Sequence, residues 1–115
     1  AFEAKVLGKR GLLKQIPSRY RSTYFAHTMG GGYTAGYYSY IWAEVLDCDA
    51  FGAYVESGDI FQPELARKFR YEVLTPGGID DAMEMYVRFR GKTPDIKWLL
   101  EKRGLNDTKL NKKKE

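Results

Sequence analysis

Apolar residues recur at spacings of three and four in several stretches of the chain, and glycine or proline interrupts each of them. Residues 2–9 read as a short helix with Phe2, Val6 and Leu7 on one face and Gly11 as its stop. The connector 12–18 contains Pro17, and 19–25 mixes basic, hydroxyl and aromatic residues in a pattern compatible with an extended strand or a helical turn. A run of three glycines follows at 30–32, where each would cost a helix about 1 kcal/mol relative to alanine. From Thr34, a candidate cap, the residues Tyr38, Ile41, Trp42, Val45 and Leu46 fall into helical register. They predict a long central helix over about 34–55, with Gly36 placed to let another backbone approach.

Residues 56–59 break that helix. Pro63 suits the first position of the next one, with Leu65, Phe69 and Val73 or Leu74 inward. The sequence Thr75-Pro76-Gly77-Gly78 is a turn, after which Asp80 or Asp81 caps a helix to about Arg90 carrying Met83, Tyr86, Val87 and Phe89. A last short helix over 95–103, with Ile96, Leu99 and Leu100 inward, stops at Gly104. No strand pair is legible. The expected fold is all-α, with four to five helices around the long central one, in one unit over 1–104 and a disordered basic tail over 105–115.

Composition changes this picture little. The 15% aromatic content, led by nine tyrosines, suits half-buried surfaces such as a cleft wall. The net charge of +4 divides between a lysine-rich tail and a nearly balanced body, so it gives no footprint for nucleic acid. One cysteine, Cys48, excludes an internal disulfide and fits a reducing, cytoplasmic setting. No apolar run reaches the roughly 20 residues of a membrane span, and no signal peptide is evident. The first helix begins at residue 1 without a cap, which suggests an element that starts upstream.

The candidate chemistry gathers in one place. His27, the sole histidine, precedes Gly30, Gly31 and Gly32, and four tyrosines follow between positions 33 and 40. A histidine on a glycine-hinged loop can donate a hydrogen bond to a substrate carbonyl or carboxylate. Tyrosine hydroxyls can stabilise a developing oxyanion. Tyr33 and Tyr40 stand two helical turns apart and would share a face if both were helical. Of the intervening pair, Tyr38 matches the apolar stripe and is assigned to the core, with Tyr37 left open. The glycines lack the Lys-Ser/Thr of a phosphate loop, so a peptide main chain is the better partner for them. Glu44, Asp47 and Asp49 are read as solvated helical carboxylates. One histidine and one cysteine cannot complete a zinc site.

The run Tyr20-Arg-Ser-Thr-Tyr-Phe-Ala-His27-Thr-Met-Gly-Gly-Gly-Tyr33-Thr-Ala-Gly-Tyr-Tyr-Ser-Tyr40-Ile-Trp-Ala-Glu44 closely resembles the C-terminal region of the thimet oligopeptidase family of zinc peptidases. Within that family it is most similar to the bacterial peptidyl-dipeptidase branch. The likeness extends through Phe69-Arg70, Leu74-Thr75-Pro76-Gly77-Gly78, Phe89-Arg90-Gly91-Lys92-Thr93-Pro94 and Arg103-Gly104-Leu105.

The resemblance implies a zincin-like, all-helical enzyme that hydrolyses short peptides with a zinc held by His-Glu-x-x-His, a motif absent from this chain. It implies that His27 and Tyr33, with Gly30, Gly31 and Gly32, contact bound peptide. It further implies that Tyr40, together with His27, steadies the tetrahedral intermediate. The chain is therefore expected to be the substrate-binding C-terminal portion of such an enzyme, with no zinc of its own. The expected partners are short peptides and the missing N-terminal part of the same enzyme, with homodimerisation of the isolated segment through uncovered apolar faces. No nucleic acid and no membrane are expected as partners. The other expectation from the same residues is a stand-alone helical module that binds peptide without catalysis.

Overall fold

The computed structural model describes residues 2–105; the expected disordered tail falls on positions outside that range from 106 onward. Among the described residues every regular element is helical, as the periodicity predicts. The chain divides into two compact units, Ala1–Ser39 and Tyr40–Glu115.

The first unit begins with α1 (Phe2–Lys9). Gly11, at φ +86°, ends it as the sequence suggests. The Leu12 amide donates to the Leu7 carbonyl at 3.0 Å and the Gly11 amide to the Gly8 carbonyl at 3.1 Å, so the open carbonyls of the last turn are satisfied. Glu3 joins α1 to a 3₁₀ turn at Ser22–Tyr24, accepting from the Ser22 amide at 2.8 Å and its hydroxyl at 2.7 Å. The open choice at 19–25 thus resolves into a brief helical turn. A single turn, α2 (Ala26–Met29), precedes the glycine loop. The face of α1 read as apolar carries Phe2, which is 78% exposed.

In the second unit α3 (Ser39–Ser57) is the longest element among the described residues. It begins five residues later than the periodicity predicts, because Thr34–Tyr38 winds as a 3₁₀ turn. Thr34 sits at φ +42°, outside the dihedral range of an α-helix. Gly36 lies in that turn with open space where its side chain would be, so the expected close approach of another backbone is absent there.

A close approach, by a side chain rather than a backbone, occurs in the second half of α3 instead. A Cβ at Gly52 would overlap the indole of Trp98. That indole belongs to α6 (Lys97–Lys102), whose first amide is capped by the Asp95 carboxylate at 2.9 Å. Between them lie α4 (Pro63–Phe69), capped by Gln62, and α5 (Ala82–Arg90), capped by Asp81, which accepts from the Met83 and Glu84 amides at 2.9 and 3.0 Å. Pro63 opens α4 as expected, and of the two candidate caps for α5 it is Asp81 that serves. Asp80 pairs with Arg88 at 2.8 Å. The end of α4 widens into a π-helical turn at Arg70–Leu74, closed by the Thr75 amide on the Arg70 carbonyl at 2.8 Å.

The core of this unit is Cys48, Gly52 and Ala53 of α3, Met85, Tyr86 and Phe89 of α5, and Leu99 of α6. Phe69 meets Phe89 edge-on at 5.1 Å. Ile96, expected inward, is 53% exposed, because it precedes the first turn of α6 rather than lying on its buried face.

Candidate functional site

The short helix α2 sets His27, and the loop after it doubles back on the same turn. The Gly30 amide donates to the Ala26 carbonyl at 2.8 Å, and the Tyr33 amide to the His27 carbonyl at 3.2 Å. Gly32 takes φ +80°, which turns the chain toward Tyr33. The Gly36 amide then closes on the Tyr33 carbonyl at 2.6 Å.

This path gathers four rings. His27 lies 5.8 Å from Tyr33 and 5.6 Å from Tyr37, centroid to centroid, and 6.2 Å from Phe25. Phe25 and Tyr37 meet edge-on at 4.7 Å, and Tyr33 and Tyr37 at 6.1 Å, a separation within the favourable range for aromatic pairs. Tyr20 stacks on Phe25 at 5.1 Å, and the Arg19 guanidinium lies 5.1 Å above Tyr20, extending the cluster by a cation–π contact. The imidazole is exposed, so it combines a fixed surround with access from solvent.

His27, Gly30, Gly31, Gly32 and Tyr33 therefore share one small surface, as their clustering in sequence suggests. Tyr40 occupies the first turn of α3 in the second unit, 53% exposed. Tyr33 precedes the 3₁₀ turn and is not α-helical, so seven-residue spacing does not by itself put it on Tyr40's face. Of the intervening pair, the assignment of Tyr38 to the core is corrected, and the open position of Tyr37 is settled. Tyr37 packs in the ring cluster, while Tyr38 is 68% exposed, because a 3₁₀ turn shifts the register that an α-helix would impose. Phe25 and Tyr37 are the participants that residue spacing does not single out. Their only signal is aromatic density on both sides of the histidine.

A second polar cluster is buried in the other unit. Asp49, read from sequence as solvated, has no exposed surface. Its carboxylate receives the Tyr86 hydroxyl at 2.7 Å and the Arg90 guanidinium at 3.1 Å, and Arg90 also donates to the Asp49 carbonyl at 3.1 Å and to Glu56 at 2.7 Å. Burial, then the hydrogen bond to Asp49, pushes the Tyr86 phenol well above its ordinary range. The hydrogen bond from Arg90 holds Glu56 below the usual carboxylate range. Glu44 is lowered in the same way by the hydrogen bond from Arg103. These groups are paired and held, which suits a brace between helices rather than proton transfer. An open apolar groove of about 400 Å³ lies beside them, lined by Trp42, Leu46, Phe69, Val73, Met83 and Tyr86 among others.

Among the described residues, no three of His, Cys, Asp and Glu come together so as to hold a metal ion. Cys48 is buried, and His27 is the sole histidine of the sequence. The described residues offer no complete set of zinc ligands. Nor is any helix among the described residues long and apolar enough to cross a membrane.

The chain belongs to peptidase family M3, whose family model matches residues 3–105. It is 43% identical to the dipeptidyl carboxypeptidase of Escherichia coli K12 over 106 residues, which covers 91% of this chain and 15% of that protein. It is 48% identical to oligopeptidase A of Haemophilus influenzae over 81 residues, or 70% of this chain and 12% of that protein. The organellar oligopeptidase A of Arabidopsis thaliana is 39% identical over 106 residues, covering 90% of this chain and 13% of the relative. The chain thus spans less than one sixth of the length of each of these relatives.

Proposed function

We propose that this chain is the C-terminal, substrate-binding portion of a zinc-dependent peptidyl-dipeptidase or oligopeptidase that hydrolyses peptide bonds in short peptides. The observation that carries the reading is the gathering of His27 and Tyr33, 5.8 Å apart, on a glycine loop within a stretch that matches an M3 peptidase throughout. In this reading His27 and Tyr33 donate hydrogen bonds to the peptide, and Gly30, Gly31 and Gly32 leave room for its main chain. Tyr40 and His27 support the oxyanion as the carbonyl is attacked. The zinc and the base belong to the rest of the enzyme, so the chain alone binds peptide and cleaves nothing. The residues 1–104 then form one segment of its catalytic domain.

The partner implied is the N-terminal part of the same enzyme. The exposed apolar residues Phe2, Phe51, Phe61 and Ile79 supply surface for it, and in isolation supply surface for a homodimer. A buried lone Cys48 is in keeping with a cytoplasmic enzyme.

The test is titration of the 115-residue chain with short peptides bearing a free C-terminal carboxylate, followed by a cleavage assay. Binding that perturbs His27 and Tyr33, without turnover, is the expected result. Turnover abolished by a chelator would overturn the division of labour, and binding that leaves both residues unperturbed would overturn the site.

A further inference from the structure

The three loop glycines are not equivalent, and the difference bears on His27. A Cβ built at Gly31 would stand 3.0 Å from the His27 Cα and 3.1 Å from the carbonyl oxygens of both Ala26 and His27. All three atoms are backbone of α2, and both carbonyls are already engaged, by the Gly30 amide at 2.8 Å and the Tyr33 amide at 3.2 Å. Gly30 has φ −137° and only the Ala26 oxygen, at 3.8 Å, near its missing Cβ. Gly32 has open space, and its requirement is the dihedral alone, at φ +80°.

We propose that Gly31 is a positioning residue for His27, its bare Cα closing on α2 so that the imidazole is held among Phe25, Tyr33 and Tyr37. The consequence for peptide rests on the reading of His27 as a peptide-contacting group. A side chain at position 31 must displace the His27 backbone by a few tenths of an ångström or open the Tyr33 amide bond to the His27 carbonyl. Either change moves the imidazole relative to the rings around it. Substrate-contacting groups are sensitive to displacements on this scale.

The sole histidine makes the experiment direct, because the imidazole C–H resonances of the 115-residue chain have one source. G31A is expected to shift them and G30A to leave them in place. With acetyl-trialanine as the peptide probe, G31A weakens binding about 3- to 10-fold. In an H27A background, G31A adds no further loss, since both substitutions act on one group. Imidazole resonances in G31A that match the unmutated chain would sink the proposal, as would a G31A loss that carries over undiminished into H27A. If H27A binds the probe as the unmutated chain does, the peptide role of His27 fails, and the resonance comparison still decides whether Gly31 positions it. Amide exchange in the unmutated chain supplies a reading that needs no variant to fold. The Tyr33 amide is expected to be protected by its bond to the His27 carbonyl, and exchange at the intrinsic rate would also sink the proposal.

Discussion

Residues 1–39 and 40–115 hold themselves together by different means. None of the described residues in the first unit is buried, and its shape comes from short turns, backbone hydrogen bonds and stacked rings. The second unit has a continuous apolar core and, inside it, a charge with no exposed surface. Elements with few buried contacts open at low free energy, and ligand-gripping loops are drawn from that end of the range. The division therefore places five of the six candidate site residues where small motions are cheap and leaves Tyr40 on the packed scaffold. Substitutions in the core should change stability, and substitutions in the loop should change recognition.

The largest expected effect is Asp49→Ala. Removing this carboxylate takes the buried ion-pair partner from the Arg90 guanidinium, whose side chain is 6% exposed, leaving it Glu56 and the backbone carbonyl at 49, and leaves the Tyr86 hydroxyl only the Leu46 carbonyl at 3.3 Å. Breaking a buried pair from one side costs about 3–5 kcal/mol. Urea denaturation followed by far-ultraviolet circular dichroism measures it, and a loss under 1 kcal/mol would mean that the pair behaves as a surface salt bridge. Next comes Gly52→Ala, which drives a methyl into the Trp98 indole and costs about 1–3 kcal/mol as overpacking. Trp98 fluorescence should shift with it. An unchanged midpoint would show that the indole can swing away freely.

Tyr86→Phe ranks third, at about 1–2 kcal/mol, for loss of a buried hydrogen bond to a charged acceptor. It also sharpens the comparison through pH. The folded phenol titrates above its unfolded value, so its contribution is intact below the ordinary tyrosine value and is lost as pH rises from there through the raised folded value. The variant should flatten the alkaline fall in stability. On the acid side the sign is opposite. Glu56 and Glu44 in the second unit, and Glu3 in the first, are held below the ordinary carboxylate value, chiefly by hydrogen bonds from Arg90, Arg103 and the Ser22 amide respectively. Their stabilisation is present above that value and lost as pH falls below it. Both units should therefore loosen in acid, while the Tyr86 contribution on the alkaline side belongs to the second.

Much of this was legible in residue spacing, and the failures share a cause. The helices at 2–9, 63–69, 82–90 and 97–102 follow from capping residues and punctuation, which act locally. Asp49 misleads because a carboxylate on a helix carries no mark of its partner, and here the partner is 41 residues away. Trp98 is invisible for the same reason, since only the fold brings its indole over Gly52. Tyr38 is exposed rather than core because Thr34, at φ +42°, starts a 3₁₀ turn where helical periodicity assumes an α-helix. The glycine loop was conspicuous as composition, but the separate demands on Gly31 and Gly32 are matters of space and dihedral angle.

The smallest expected effect on stability is the most telling one for function. His27 is exposed, and no hydrogen bond from its ring is among those that define the loop, which closes through backbone groups. Its ring contacts sit at 5.6–6.2 Å on a surface where aromatic packing is only partly desolvated. His27→Ala should accordingly change unfolding free energy by less than about 0.5 kcal/mol, the range of ordinary surface substitutions. If the loop exists to grip peptide, the same variant should weaken acetyl-trialanine binding about tenfold, the scale of one hydrogen bond to a charged acceptor. Calorimetric titration and denaturation on one preparation separate the two readouts. A variant that loses stability while keeping affinity would turn the comparison around, making His27 part of the architecture of the first unit and leaving recognition to Tyr33 and the glycines.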